Sequence, residues 1–176
     1  CAPFADPPHR LPSCCTRRFR EHVNRMNAAP APPFSRIQTP GGGFHQEIEH
    51  TADLAWRCGG PDLASFFRSA ALGTYRLMGI VKASGASREE TTVALDAPDI
   101  ETLLVDWLSE LTYLAEAKNR VFEEMDFETL TATQLKARLG GTEILRLETA
   151  IKAVTYHQLE VTQTSEGYAA TVVFDV

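Results

Sequence analysis

The sequence lacks the cysteine pattern of a metal ribbon or redox protein. Its four cysteines, Cys1, Cys14, Cys15 and Cys58, show no C-x-x-C spacing, which argues against a zinc ribbon or a dithiol motif. They support no disulfide framework either, so a reducing, cytoplasmic setting is expected. No apolar run approaches the roughly 18 residues a membrane-crossing helix requires. There is no G-x-S-x-G, P-loop, G-x-G-x-x-G or H-E-x-x-H, so the commonest hydrolase, nucleotide and zinc-protease signatures are missing. Gly41-Gly42-Gly43 precedes an extended run instead of a helix and so cannot cradle a phosphate at a helix start. It reads as a linker.

Basic residues are also scarce where they would matter for nucleic acid. The whole chain carries a net charge of −6, but residues 1–43 hold six arginines against Asp6 and Glu21, a net of +4. Residues 44–176 therefore carry −10. Such a body repels phosphates and suits metal ions or a basic protein surface better than unaided RNA or DNA. Eight of the ten prolines also fall in residues 1–43. A segment so rich in Pro, Arg and Gly is expected to be a disordered tail, because it cannot bury enough apolar surface to offset its ordering entropy. Since the sequence opens on Cys1 and Met26 follows within the tail, an over-extended start before Met26 is an open reading. Residues 44–176 are expected to form the folded domain.

In that domain Phe44–Ile48 alternates like a strand and Leu54–Cys58 is a second short extended run. Gly59-Gly60 reads as a turn, and Pro61 suits the first position of a helix. Leu63, Phe66, Phe67, Ala70, Thr74, Leu77 and Met78 recur at helical spacing, with Gly79 as the stop. Thr91, Val93 and Leu95 mark a strand. Pro98 opens a second helix with the stripe Ile100, Leu103, Leu104, Trp107, Leu108, Leu111 and Leu114, while Asp99, Asp106, Glu110 and Glu116 take the wet side. Extended runs follow at Val121–Phe127 and Leu130–Leu139, with Gly140-Gly141 as a break. Two final strands are expected at Ile151–Val161 and Tyr168–Val176. Two helices among about seven strands imply a two-layer α+β domain, with the helices on one face of a largely antiparallel or mixed sheet.

Several constellations invite a chemical reading. Cys58, His157 and a carboxylate make a nucleophilic triad on paper, but a small thiol at a strand end and a lone His on a strand face are ordinary structural residues. The run Glu123-Glu124-Met125-Asp126-Phe127-Glu128 reads most simply as a strand with one solvated face. His50-Thr51-Ala52-Asp53 interrupts a strand; Asp53 alone suits an Asx-turn. Asp175 and Val176 end an apolar strand on adjacent anions. With Asp53 brought beside them, three oxygen groups would make a hard-cation site from both ends of the domain.

In chain order, four motifs resemble the archease family: His50-Thr51-Ala52-Asp53, Leu103–Leu111, Ile151–His157 and Val173-Phe174-Asp175-Val176. The resemblance spans residues 44–176 and departs at Gln158, where the family often carries Asp. It implies a small non-enzymatic accessory protein of the RNA-splicing (tRNA) ligase, with no catalytic or cofactor-binding residue of its own. Its expected role is to promote GTP-dependent guanylylation of the ligase and multiple turnover in tRNA splicing and RNA repair. The resemblance also implies a divalent cation, calcium first and magnesium or manganese as alternatives, held by Asp53, Asp175 and Val176. Partner contact with the ligase, RNA reached only through it, and no membrane complete the expectation; Asp106 and Lys152 are candidate partner contacts, readable equally as a solvated helix face and a cross-strand ion pair. Alternatives are a metal-dependent phosphoesterase with His50 as the base, or a general protein chaperone or scaffold.

Overall fold

Two helices form where apolar periodicity is strongest, and each begins on an aspartate. The computed structural model describes residues 36–48, 54–85 and 87–176, all within the compact unit Pro33–Val176. Helix α1 (Leu63–Leu77) is capped by Asp62, whose side chain accepts the Ser65 N–H at 2.7 Å while Ser65 Oγ accepts the Asp62 N–H at 3.2 Å. Helix α2 (Ile100–Lys118) is capped by Asp99, which accepts from Thr102 N–H at 2.8 Å. Pro61 and Pro98 therefore precede the caps and do not open the helices. A side-chain acceptor is what the orphan N–H groups of a first turn require, and proline can only avoid adding another donor. Gly79 follows α1 at φ +60°, and Asn119 ends α2 at φ 55°, both left-handed stops.

The strands are β1 (Ile37–Gln38), β2 (Phe44–Ile48), β3 (Leu54–Gly60), β4 (Val81–Lys82), β5 (Glu89–Asp96), β6 (Arg120–Leu130), β7 (Gln134–Arg146), β8 (Ala153–Thr155), β9 (Thr162–Thr164) and β10 (Gly167–Asp175). They form two antiparallel sheets where one was expected. The first runs β1-β2-β3-β10-β8, with β9 also on β10; the second is built around β7, which pairs with β4, β5 and β6. The architecture is α+β, with α1 touching β2, β3 and β10 of the first sheet and β6 of the second. Helix α2 likewise contacts β8 and the strands β5, β6 and β7. Trp107, Phe66, Phe67, Phe122 and Phe174 fill the core between them at 1 % exposure or less.

Several local expectations are corrected. Hydrogen-bonded structure starts upstream of Phe44, because Ile37 and Gln38 pair with His45 and Phe44. Gly41-Gly42-Gly43 is not a linker but the β1–β2 turn: Thr39 N–H donates to Gly43 O at 2.8 Å, and Gly41 and Gly42 take φ +88° and +80°. Gly59-Gly60 continues β3, paired with Ala169 and Tyr168. Gly140-Gly141 runs inside β7, opposite a bulge between Phe122 and Glu124. A Cβ on Gly141 would collide with the Val121 carbonyl and the Phe122 ring, so the glycines serve close strand approach instead of breaking the strand. The run Ile151–Val161 is not one strand: β8 and β9 are short and separated by a turn with Gln158 at φ 52°.

Candidate functional site

The last described strand lies in the middle of its sheet. β10 is flanked by β3 on one side and by β8 and β9 in turn on the other. Its alternating apolar residues bury Ala170, Val172 and Phe174, while Asp175 and Val176 emerge into solvent. Asp175 is opposite Ala153, and the Lys152 N–H donates to the Asp175 carbonyl at 2.9 Å. The Lys152 ammonium donates to Val176 O at 2.7 Å and stands 3.9 Å from Asp175 Oδ1. The cross-strand ion pair read for Lys152 is thus present, on side chains 69 % and 57 % exposed.

The segment carrying Lys152 is held in place by α2. Glu116 Oε1 accepts the Ile151 N–H at 2.8 Å, and Glu101 Oε1 accepts the Val161 N–H at 2.9 Å. Two carboxylates on one helix therefore satisfy the backbone at both ends of a stretch that pairs with β10 through only three residues at β8. These two glutamates escape sequence reasoning, because at the surface of an amphipathic helix they look like ordinary solvated positions. On the sheet side, Thr155 Oγ1 donates to Val173 O at 2.9 Å.

Leu54 pairs with Phe174 across β3 and β10. Asp53 precedes Leu54 in sequence, as Phe174 precedes Asp175; His50, Thr51, Ala52 and Asp53 lie outside the described residues. Among the described residues no group of three or more His, Cys, Asp or Glu converges on one point. What the described part offers a metal is the Asp175 carboxylate and a Val176 main-chain oxygen. All are hard oxygen donors of the kind calcium, magnesium and manganese take, and a cationic ammonium is already drawn to them.

The other candidates resolve toward structural roles. Cys58 is fully buried with its Sγ 3.8 Å from Ala170 O, and burial pushes its thiol up to about 12. A thiol held neutral is a packing group and not a nucleophile. His157 lies in the exposed turn after β8. The acidic run on β6 is matched across the sheet: Glu123 with Lys82, Glu124 with Arg88, Asp126 with Arg138, and Glu128 with Lys136 and Arg138. This is a strand with a charged, solvated face. Asp106 sits half-buried on α2. A cavity of about 620 Å³ lies elsewhere, against Arg36, Phe44, Gln46, Arg57, Glu160 and Thr171.

Buried nitrogens without a hydrogen-bond partner include those of His45 and of Trp56, whose rings pack together. His45 on β2 is 4 % exposed, packs 4.9 Å from the Trp56 ring, and neither ring nitrogen has a hydrogen-bond partner. Burial lowers its pKa to about 4; the Ser69 backbone lies close enough to oppose the shift without completing a hydrogen bond, and Arg76 adds to it. Thr39 Oγ1 and Ser69 Oγ share a 2.7 Å hydrogen bond in the same polar inset of the core.

Residues 45–176 match the model of the archease protein family (MTH1598/TM1083). Protein archease of Methanosarcina barkeri is 38 % identical over 145 residues, covering 77 % of this chain and 97 % of the relative. Protein archease of Archaeoglobus fulgidus is 33 % identical over 135 residues, with 73 % and 96 % covered. Among solved structures, an archease from Thermotoga maritima described as a possible chaperone aligns with a TM-score of 0.55 at 24 % identity, covering 81 % of this chain and 99 % of that one. The solution structure of protein 1598 from Methanobacterium thermoautotrophicum gives 0.53 at 22 %, covering 75 % and 98 %. At those identities the two structures speak to the fold.

Proposed function

This chain belongs to the archease family, and from that premise we propose that it is an accessory protein of an RNA-splicing ligase. It acts through protein contact and a bound divalent cation, without turnover of its own. The observation that carries this reading is the family match over residues 45–176, which takes in nearly all of the described fold. In this role the protein promotes GTP-dependent guanylylation of the ligase and lets each ligase molecule work repeatedly, in the cytoplasm, meeting RNA only through its partner. The charge supports it: a body of −10 over residues 44–176 is drawn to the basic cleft of an RNA-binding enzyme and repelled by RNA itself.

Asp53, Asp175 and Val176 would hold the cation. Their chemistry is all-oxygen, and the β3–β10 register puts Leu54, the neighbour of Asp53, opposite Phe174, the neighbour of Asp175. When bound, the ion supplies a fixed positive charge at the end of the sheet; calcium suits such an irregular, water-accessible edge best. The Lys152 N–H holds the Asp175 backbone in position. The test is RNA ligation and ligase guanylylation with the cognate ligase at substoichiometric concentration, with and without this protein. Multiple-turnover ligation should rise on addition and should not rise with the Asp175→Asn variant. Unchanged turnover with the wild-type protein would sink the reading.

A further inference from the structure

A cation is already present at the end of β10, and it belongs to the protein. The Lys152 ammonium is 2.7 Å from Val176 O and 3.9 Å from Asp175 Oδ1, the two described groups that would hold the divalent ion. The remaining Lys and Arg ion pairs among the described residues involve β4 to β7 and the residues flanking them: Lys82, Arg88, Arg120, Lys136, Arg138 and Arg146. Lys152 is thus the basic side chain directed at the Asp175 carboxylate and the Val176 oxygen. Its backbone is tied down by the Ile151–Glu116 and Lys152–Asp175 hydrogen bonds, but its side chain is 69 % exposed and can swing into water.

Resting on that cation reading, we propose that Lys152 is the resident counter-ion of the site and that a divalent ion binds there by exchange with the Lys152 ammonium. The geometry sets the two occupants in competition. A calcium ion bonds an oxygen at about 2.3–2.6 Å, so an ion on Val176 O and an ammonium 2.7 Å from the same atom are at most roughly 5 Å apart. Charges of +2 and +1 at that separation repel even in water, and screening by salt at this range is only partial. The ammonium itself is lightly held, because exposed ion pairs are weak and side-chain entropy favours release. Exchange is therefore easy, and it has a second consequence. Each binding event swaps a tethered positive charge for a free one, turning Lys152 from an internal partner into an outward-facing ammonium.

The test is calorimetric titration of the full chain with calcium chloride, on wild type, Lys152→Met, Lys152→Arg and Asp175→Asn. Removing the competing charge in Lys152→Met should tighten calcium binding by roughly three- to tenfold. Lys152→Arg keeps the competitor and should stay within about twofold of wild type. Nitrogen-15 NMR of the Lys152 ammonium should show its signal moving, and its proton exchange quickening, as calcium is added. Calcium affinity unchanged or weakened in Lys152→Met, with wild-type binding intact and Asp175→Asn deficient, would overturn the exchange alone. A wild-type protein that binds no calcium, or an Asp175→Asn variant that binds as wild type does, would overturn the cation reading beneath it.

Discussion

Acid should weaken this fold through one histidine before it touches the carboxylates. His45 is 4 % exposed with both ring nitrogens unpaired, and burial lowers its pKa from 6.5 to about 4. In the unfolded chain the same imidazole takes up a proton near 6.5. Between those values the unfolded state binds more protons than the folded one, so stability rises with pH through the window and is lost as pH falls through it. The slope is about 1.4 kcal/mol per pH unit, and the full window is worth about 3 kcal/mol. Urea denaturation at pH 7.5 and at pH 5, fitted to a two-state transition, measures it: the wild type should lose about 2 kcal/mol on acidification. His45→Phe, which keeps a ring against Trp56 and cannot ionise, should lose much less. Asp62 and Asp99 are held low by their hydrogen bonds to the backbone and side chains of Ser65 and Thr102, so they stay ionised through this window and do not blur the comparison. If His45→Phe shows the same loss between pH 7.5 and pH 5 as the wild type, the reasoning is wrong.

Three further outcomes follow from the packing. A methyl group at Gly73 would overlap the Trp56 indole, so Gly73→Ala should cost about 3 kcal/mol in urea or thermal unfolding, at the upper end of overpacking effects. Glu116→Ala should strip the Ile151 N–H of its acceptor and lower local stability by about 1 kcal/mol, read as faster amide exchange at Ile151; Glu116→Gln keeps an acceptor oxygen and should largely restore protection. Cys58, buried with its thiol pushed up to about 12, should resist alkylation at pH 8 in the native protein and react after denaturation, as peptide mapping by mass spectrometry would show.

What could be read from the sequence is what depends on local pattern. The apolar stripes of α1 and α2 and the alternation in β2, β5 and β10 are set by neighbours a few residues away. They were legible because burial on one face leaves a period in the sequence. The errors share a different cause. Gly41-Gly42-Gly43, Gly59-Gly60 and Gly140-Gly141 all look like breaks, yet only the first makes a turn. The other pairs are small because another strand or a ring comes close, and that neighbour is remote in sequence. The division into two sheets and the short, interrupted edge at β8 and β9 likewise depend on long-range pairing and on Glu101 and Glu116 reaching across from α2. At the candidate site, Asp175 and Val176 stood out as an anionic end to an apolar strand. That Lys152 would meet both required the register of β8 on β10.

The position of β10 has a consequence for how the protein is made. The latest described strand in the chain fills the central place in the first sheet, between β3 and the β8–β9 edge. A nascent chain that has not yet extended past Gly167 leaves β3 with an unpaired edge and β8 and β9 with no sheet to join. Such edges are templates for association with other chains. The first sheet must therefore wait for the distal end of the domain to leave the ribosome, and its assembly depends on contacts distant in sequence, which are slow to form. Truncation from that end removes the keystone of the sheet and not its margin. A nonsense mutation just before Gly167, which removes β10, should yield an aggregating product, with no shortened but folded one.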